Sequence, residues 1–422
     1  MSGGSYVRAA ACAAAAAIVA CGAAALAEST TQPKRVDQAM KAVRVSLKPA
    51  TFADLPGWKQ DDHLAAFKTF LKSCERVAAP RDKGGNDKLA PPANLVAACM
   101  NASRLAAHIK SRENARLFFE QNFTPQTVVH NGPPGLVTGY YEPMIKGSRT
   151  PQGPYQTPIY KRPPDLVNLV DETQRGAKGE ALTHARKTAK GFEPFYTRAE
   201  IEQGALKGKG LELLYFADPV DVFFMQIQGS GRVALTDGTT VRVHYDGKNG
   251  YPYSSIGRYL IEKGLLAADK VSMGALRKWL HADPERGKHV MWQNPSFVFF
   301  RELVGEAKGP LGAMNVPLTP GRSLAVDPAH HALGSLIYVS APGVKHGSGK
   351  AASFEHLMVA QDVGSAIKGP ERGDIYFGSG EAAGRLAGVT KHAATFFVLQ
   401  PNAGPVGWQA TETTSSITKA RR

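Results

Sequence analysis

The stretch MVAQDVGSAIKGPERGDIYFGSG, residues 358–380, places two carboxylates, Asp362 and Asp374, among glycines and apolar residues. A third aspartate, Asp327 in SLAVDP, lies in sequence of the same texture. A single Asp beside glycines usually forms an Asx-turn or a helix cap. Because three of them occur in one strand-like region, a site that uses carboxyl groups is the second interpretation.

Strand-like sequence extends from this stretch towards the N-terminus. From about Val128, short apolar runs are broken by Gly, Pro and Asp-Gly, which is typical of strands joined by turns. Asp237-Gly238 between two alternating runs predicts a hairpin, and this first β-region predicts a small barrel or a compact sheet. Two short helices, SSIGRYLIEKG and SMGALRKWLHAD, separate it from a second β-unit. This unit comprises NPSFVFFREL and the stretch from Leu311 to Val398.

The region 58–123 is predicted to be helical. Apolar residues recur at helical spacing from Leu64 to Cys74, and Ser111 is placed to cap the last helix. The sequence therefore predicts a mainly β protein with an N-terminal α-helical part. A length of 422 residues favours two or three domains.

The N-terminus has the pattern of an export signal. Residues 1–27 hold one cation, Arg8, then an Ala-rich run that ends in a cleavage-like Ala-Leu-Ala before Glu28. A membrane span is the alternative, but alanine is only weakly hydrophobic. The run IVAC resembles a lipobox, so lipidation of Cys21 is the alternative to cleavage before Glu28. We expect an exported protein, periplasmic or associated with the outer membrane.

The chain is strongly basic, with a formal net charge of +15. For an exported protein this favours anionic envelope polymers over nucleic acid, although solubility alone would also account for the charge. Cys74 and Cys99 remain after the signal is removed and predict a disulfide, with two buried free thiols as the alternative.

Several common sites are absent from the sequence. No Cys-x-x-Cys or His-Glu-x-x-His occurs, so we expect no metal. The Gly-Ser-Gly runs do not complete a nucleotide loop, and no Gly-x-Ser-x-Gly marks a serine hydrolase. We expect no cofactor.

Polar and aromatic side chains in two motifs suit sugar hydroxyls and ring faces. The motif VTGYYEP supplies Thr138, Tyr140, Tyr141 and Glu142. In FFMQIQGSGRV, alternation along a predicted strand would put Gln226, Gln228 and Ser230 on one face. A polar strand face is also normal for a solvated sheet.

Six ordered motifs together resemble the membrane-bound lytic murein transglycosylase A family. They run from about residue 135 to 400 and end in the family's three-aspartate domain. They are GYYEP, MQIQGSGRV, DGKNGYPYSSIGR, NPSFVFF, PLTPGRSLAVDP and AQDVGSAIKGPERGDIYFGSG.

The resemblance implies a double-psi β-barrel catalytic domain with an inserted smaller β-barrel domain and a groove between them for a glycan strand. It implies a monomer that acts on peptidoglycan glycan strands. The expected segments are a signal peptide at 1–27, a helical leader and first catalytic part at 28–148, the inserted domain at 149–295, the double-psi (three-aspartate) part at 296–408, and a disordered tail at 409–422.

The resemblance also implies a reaction, cleavage of the β-1,4 bond between N-acetylmuramic acid and N-acetylglucosamine without water, which leaves a 1,6-anhydromuramyl end. One carboxyl group serves first as acid and then as base. By its place in the motif this is Asp374, whose pKa must rise from about 4 through desolvation or a neighbouring carboxylate. The residues implied to bind or orient the substrate are Asp362, Asp327, Thr138, Tyr140, Tyr141, Gln226, Gln228, Ser230 and Arg232.

Two other functions fit the same residues. An inverting glycoside hydrolase would use Asp362 to activate water and Asp374 to supply the proton, with the carboxyls ~6.5 to 9.5 Å apart. A non-catalytic wall-binding module would use the groove and the positive charge alone. An anhydro end, a reducing end or no new end distinguishes the three.

Overall fold

The computed structural model describes residues 44–79, 91–169, 182–303, 309–344 and 353–402. The expected signal segment, Cys21 and the expected C-terminal tail lie outside the described residues. In the part of the chain that is described, strands predominate and helices are grouped near the N-terminus and between strands. No helix in these ranges is long and apolar enough to cross a membrane.

Most α-helices in the described residues begin at a residue whose side chain caps them. The described helices are α1 (His63–Val77), α2 (Ala93–Leu105), α3 (Arg112–Asn122), α4 (Arg198–Glu200), α5 (Pro219–Gln228), α6 (Ile256–Glu262), α7 (Met273–His281), α8 (Pro284–Met291) and α9 (Gly380–Val389). Asp62 caps α1 by accepting from the Ala65 amide, and the predicted cap Ser111 accepts from the Asn114 amide. The prediction of helices in the region 58–123 is confirmed.

Strands make up most of the remaining regular structure in the described residues. They are β1 (Val45–Pro49), β2 (Phe123–His130), β3 (Leu136–Glu142), β4 (Met144–Ser148), β5 (Thr157–Tyr160), β6 (Leu166–Asn168), β7 (His184–Thr188), β8 (Gly191–Glu193), β9 (Glu212–Phe216), β10 (Ser230–Leu235), β11 (Thr240–Lys248), β12 (Val298–Leu303), β13 (Ser323–Val326), β14 (Leu336–Ala341), β15 (Phe354–Val363), β16 (Arg372–Ser379), β17 (Lys391–Ala393) and β18 (Thr395–Pro401). The hairpin predicted at Asp237-Gly238 joins β10 to β11, and Gly238 has a φ of 85°.

The strands form two large sheets and a small one. A nine-stranded sheet has the order β1-β2-β18-β14-β15-β13-β16-β3-β17, a six-stranded sheet has β12-β11-β10-β4-β9-β5, and β6-β7-β8 form the third. The six-stranded sheet is built from chain that lies between β3 and β13, both of which belong to the nine-stranded sheet. The chain therefore leaves the larger sheet after β3, builds the smaller one and returns.

Two secondary-structure predictions are wrong. The run that carries Gln226 and Gln228 is not a strand but the end of α5, which Asp218 caps by accepting from the Val220 amide and which stops at Gly229, φ 77°. The run reads as a strand because α5 is apolar on nearly all sides, and it is buried between the six-stranded sheet and the helices α7 and α8. Helix α9 was likewise missed inside a stretch predicted to be strand.

The N-terminal helices pack against the back of the nine-stranded sheet. Buried phenylalanines of α1 and α3 form one core with side chains of β14, β15 and β18. The Asp61 carboxylate before α1 accepts from both Nη atoms of Arg322, from His356 and from the Leu357 amide at 2.6 to 2.9 Å. Burial alone would raise the pKa of Asp61, but the hydrogen bonds from His356 and Arg322 hold it well below its usual range.

Cys74 of α1 and Cys99 of α2 form the disulfide that the sequence predicts. Both cysteines are at most 1% exposed, within the core that the helices share with the sheet. The bridge therefore fixes α1 to α2 at a point that solvent does not reach.

We expect the double variant Cys74→Ala/Cys99→Ala to unfold more easily. The bridge closes a sequence separation of 25 residues, for which the chain-entropy estimate gives about 3 to 4 kcal/mol. Denaturant unfolding with and without reductant measures the difference. Reductant should lower the stability of the parent protein and leave the double variant unchanged; a parent protein indifferent to reductant contradicts the prediction.

Candidate active site

A cavity of about 270 Å³ lies where the two large sheets meet. Its wall takes Asp362 and Asp374 from the nine-stranded sheet, Gln226 and Gln228 from α5, and Ser230 from the start of β10. Both sheets and the helix between them are therefore needed to form it.

Strand pairing brings Asp374 beside Thr138. Strands β16 and β3 run parallel, with Asp374 opposite Thr138 and Tyr376 opposite Tyr140. Because side chains alternate along a strand, Arg372 and Asp374 share the face that lines the cavity. The site is thus assembled from residues that lie far apart in the sequence.

The Asp374 carboxyl is half-buried and has one hydrogen bond from protein. Oδ1 accepts from Thr138 Oγ1 at 2.6 Å, and Oδ2 receives no hydrogen bond from the described residues. Burial, with a smaller contribution from the Asp362 charge, raises the pKa of Asp374 to about 6, although the Arg372 charge and the Thr138 hydrogen bond act to lower it. A carboxyl group with this pKa can both give and take a proton near neutral pH.

Asp362 accepts at least three hydrogen bonds in the described part of the chain. Oδ1 accepts from the amides of Ala313 and Val363, both at 2.9 Å, and Oδ2 accepts from the Tyr140 hydroxyl at 3.0 Å. The Tyr140 ring also contacts the Tyr376 ring, with 5.3 Å between their centroids. These bonds fix the segment at Ala313 and the ring of Tyr140 relative to Asp362.

Asp327 does not lie in the cavity wall, contrary to its expected place beside Asp374. It is 5% exposed, and its carboxylate accepts from the amides of Gly369 and Ala329 at 2.8 and 3.1 Å. The loop that it holds includes Gly364 and Ile367, which do line the cavity. Asp327 therefore acts as a turn and loop anchor, which is the ordinary role of an Asp among glycines.

Tyr141 and Arg232 also lie outside the cavity wall. Tyr141 follows Tyr140 on β3, so alternation turns it to the opposite face, where its ring packs on Gly384 of α9. The Arg232 amide donates to the Pro143 carbonyl, and its side chain is not among the groups that line the cavity. Both residues belong to the surrounding framework.

Gln226 and Gln228 reach the cavity from α5 and differ in their hydrogen bonds. Gln228 Oε1 accepts from the Tyr141 amide at 2.9 Å. Gln226 is 3% exposed, and neither its Oε1 nor its Nε2 has a partner among the described residues. A buried amide without partners costs about 1 to 3 kcal/mol. An amide in this state is suited to pair with a polar ligand group in the cavity.

Sequence reasoning missed Arg372. It lines the cavity two residues before Asp374, and its guanidinium contacts both Thr138 and the Gly373 carbonyl. Strand alternation around Asp374 would have placed it on the same face. The segment at Ala313, which Asp362 holds, gave no comparable signal.

Two domain families match the chain. Residues 136–301 match the MltA specific insert domain, and residues 322–400 match the 3D domain. Membrane-bound lytic murein transglycosylase A of Escherichia coli K12 is 37% identical over 276 residues, which cover 64% of this chain and 67% of that protein.

Solved structures have the same architecture. A membrane-bound lytic murein transglycosylase from Agrobacterium tumefaciens is 38% identical, with a TM-score of 0.75, and the match covers 84% of this chain and 98% of that one. E. coli MltA with bound chitohexaose is 29% identical, with a TM-score of 0.61, and the match covers 85% of this chain and 94% of that one.

The fold and its two matched domains define an enzyme of the lytic transglycosylase class. Within that class, the chain belongs to the membrane-bound lytic murein transglycosylase A family. The family resemblance seen in the sequence motifs is confirmed.

We expect Asp374→Asn to stabilise the protein at pH 7. The folded-state pKa of about 6 lies above the ordinary value of 3.8, so ionisation costs the folded state up to about 3 kcal/mol. This cost is absent below pH ~4, grows as pH rises towards about 6 and is constant above. Thermal unfolding of the parent protein and the variant across pH 4 to 7 measures it. A stability difference that does not change with pH contradicts the prediction.

Proposed function

We propose that this protein cleaves the β-1,4 bond between N-acetylmuramic acid and N-acetylglucosamine in peptidoglycan and leaves a 1,6-anhydromuramyl end. The observation that carries the proposal is the state of Asp374. It is a cavity carboxyl whose pKa burial raises to about 6, with one oxygen that receives no hydrogen bond from the described residues.

In the proposed reaction one carboxyl group acts twice. Protonated Asp374 donates to the glycosidic oxygen as the bond from that oxygen to the anomeric carbon of the muramyl residue breaks. The 6-hydroxyl of the same residue then bonds to the anomeric carbon, and its proton goes to the Asp374 carboxylate. The reaction balances without water, and Asp374 is protonated again for the next turnover.

The hydrogen bonds of Asp362 favour this reaction over inverting hydrolysis. A hydrolase would need a second carboxylate with a lone pair directed at a water molecule. Asp362 already accepts from two amides and the Tyr140 hydroxyl. We therefore assign Asp362 an orienting role and give its negative charge a part in keeping Asp374 protonated.

The cavity wall suits a sugar with acetamido groups. Gln226 offers a buried amide without a partner among the described residues, and Tyr245 and Tyr253 supply ring faces. The E. coli relative has been crystallised with bound chitohexaose. We propose that this chain binds its glycan strand in the cavity described above, as a monomer, without a metal or cofactor.

We also propose the domain organisation and the location. The nine-stranded sheet would form the double-psi barrel, and residues 149–295 would form the inserted domain, in keeping with the chain path out of and back into that sheet. The relatives are named membrane-bound, which supports a protein associated with the envelope. The periplasm and the outer membrane, through a lipidated Cys21, are the two alternatives.

Asp374→Asn should abolish cleavage while folding and glycan binding persist, because the amide keeps the shape but cannot transfer the proton. Loss of general acid/base catalysis costs ~10² to 10⁴-fold, and more where one group serves both steps. Mass spectrometry of digested cell walls measures the release of anhydromuropeptides. Asp327→Asn is the control outside the cavity, and it and Asp362→Asn should retain more activity. The assignment fails if Asp374→Asn remains near parental rate or if Asp362→Asn alone is inactive.

Gln226→Leu should weaken glycan binding about tenfold, because one hydrogen bond contributes about 0.5 to 1.5 kcal/mol. It should also stabilise the unbound protein, since it removes an unpartnered buried amide. Gln228→Leu is the matched control on the same helix, and it should destabilise the protein because it breaks the bond to the Tyr141 amide. Calorimetric binding and thermal unfolding measure both effects. Equal stability changes in the two variants would refute the role given to Gln226.

A further inference from the structure

Two consecutive hydrogen bonds connect the guanidinium group of Arg372 to the carboxyl group of Asp374. Arg372 Nη2 donates to Thr138 Oγ1 at 2.8 Å, and Thr138 Oγ1 lies 2.6 Å from Asp374 Oδ1. The other guanidinium nitrogen, Nη1, donates to the Gly373 carbonyl. Arg372 and Asp374 lie two apart on β16, and Thr138 lies opposite Asp374 on β3, so the three side chains share one face.

The direction of the second hydrogen bond follows from the first. A guanidinium group only donates, whereas a hydroxyl group has one proton and two lone pairs. Arg372 uses a lone pair of the Thr138 hydroxyl, and in the described ranges no acceptor other than Asp374 contacts that hydroxyl. The hydroxyl proton is therefore directed at Asp374 Oδ1, which stays an acceptor whether the carboxyl group is ionised or neutral.

We propose that Arg372 is a positioning residue that acts through the Thr138 hydroxyl to keep the transferable proton of Asp374 on Oδ2. This inference rests on the proposed acid/base role of Asp374. With Oδ1 held as an acceptor, only one oxygen exchanges protons with the substrate. The proton given to the glycosidic oxygen and the proton taken from the 6-hydroxyl then pass through the same atom.

The charges around Asp374 set its balance between acid and base. Burial raises the pKa of Asp374, the Arg372 charge and the Thr138 hydrogen bond lower it, and the Asp362 charge raises it further. The Tyr140 hydroxyl faces the same space from β3, and β13 contributes only Ala325 opposite Asp374. Without the hydrogen bonds that connect it to Arg372, the Asp374 carboxyl group would hold its proton more tightly. It would therefore act as a base less readily.

The test compares four variants in the intact protein: Arg372→Gln, Thr138→Val, the double variant and Thr138→Ser. Carbon-13 labelling of aspartate carboxyl groups gives the titration of Asp374 by NMR, with Asp374→Asn to assign its signal. The pH dependence of kcat/KM, with kcat and KM measured separately, gives the effect on turnover. The NMR titration does not require the protein to cleave glycans, so it separates failure of this inference from failure of the proposed function.

We expect the pKa of Asp374 to rise by about 0.5 to 1 in Arg372→Gln and in Thr138→Val, a factor of about 3 to 10 in proton affinity. The falling limb of kcat/KM should move to higher pH by the same amount. If Arg372 acts through Thr138, replacing it in the Thr138→Val background should add at most about half of its effect in the parent. Thr138→Ser keeps a hydroxyl, so the titration of Asp374 in this variant should match that of the parent protein.

Loss of the fixed proton position should lower kcat about tenfold with KM changed less than about twofold. Equal shifts from Arg372→Gln in both backgrounds would mean that only its charge acts through space, and would overturn the inference. A raised KM with an unshifted Asp374 titration would mean that Arg372 binds substrate instead, and would overturn it as well. A Thr138→Ser variant that titrates like Thr138→Val would do the same.

Discussion

The buried carboxylate of Glu142 joins the two large sheets. The cavity forms between the sheets because this contact holds them together. Glu142 ends β3 and is 0% exposed; it accepts from Arg242 Nε of β11 at 2.5 Å and from Ser379 Oγ of β16 at 2.6 Å. Loss of one partner of such a pair typically costs about 3 to 5 kcal/mol, because the remaining charge stays buried. Thr138 and Tyr140 lie on the same strand face as Glu142, so the position of the site follows from this contact.

The helical leader supports the same wall from behind. Asp61 ties the start of α1 to Arg322 and to the strand β15, and Gln361 of β15 donates to Ser73 and to the Thr69 carbonyl of α1. The Gln361 side chain contacts α1, whereas the adjacent Asp362 lines the cavity on the other side of β15. A segment whose sequence carries no sign of function thus fixes the strand that presents Asp362 to the cavity.

Local patterns in the sequence were sufficient for features that depend on local physics. The Ser111 cap, the hairpin at Asp237-Gly238 and the helices of the leader all follow from short-range rules, and all three are present. Features that depend on burial were predicted less well from the sequence. Helix α5 is apolar on nearly all sides because it is enclosed, and its sequence therefore lacks the clear amphipathic period by which a helix is recognised.

Prediction of the site was limited for the same reason, since tertiary structure decides where its side chains lie. The motifs identified Asp374 and Asp362, but not which face of β3 each tyrosine occupies or that Asp327 serves a loop, because strand pairing and not sequence distance sets these positions. Alternation along β16 places Arg372 on the same face as Asp374, but the register between β3 and β16 sets its partner, Thr138. Its contact with Thr138 spans 234 positions, and no local pattern encodes it.

The separation between Thr138 and Asp374, 236 positions, has a consequence for synthesis of the chain. Contacts of such long range form only after the intervening segment has been accommodated, which makes them late and slow relative to hairpins and helices. A growing polypeptide that carries the leader, β3 and the whole six-stranded sheet still lacks the carboxyl group around which the cavity is organised. Every truncated translation product that stops before residue 374 is therefore devoid of the site, however much of the fold it has acquired.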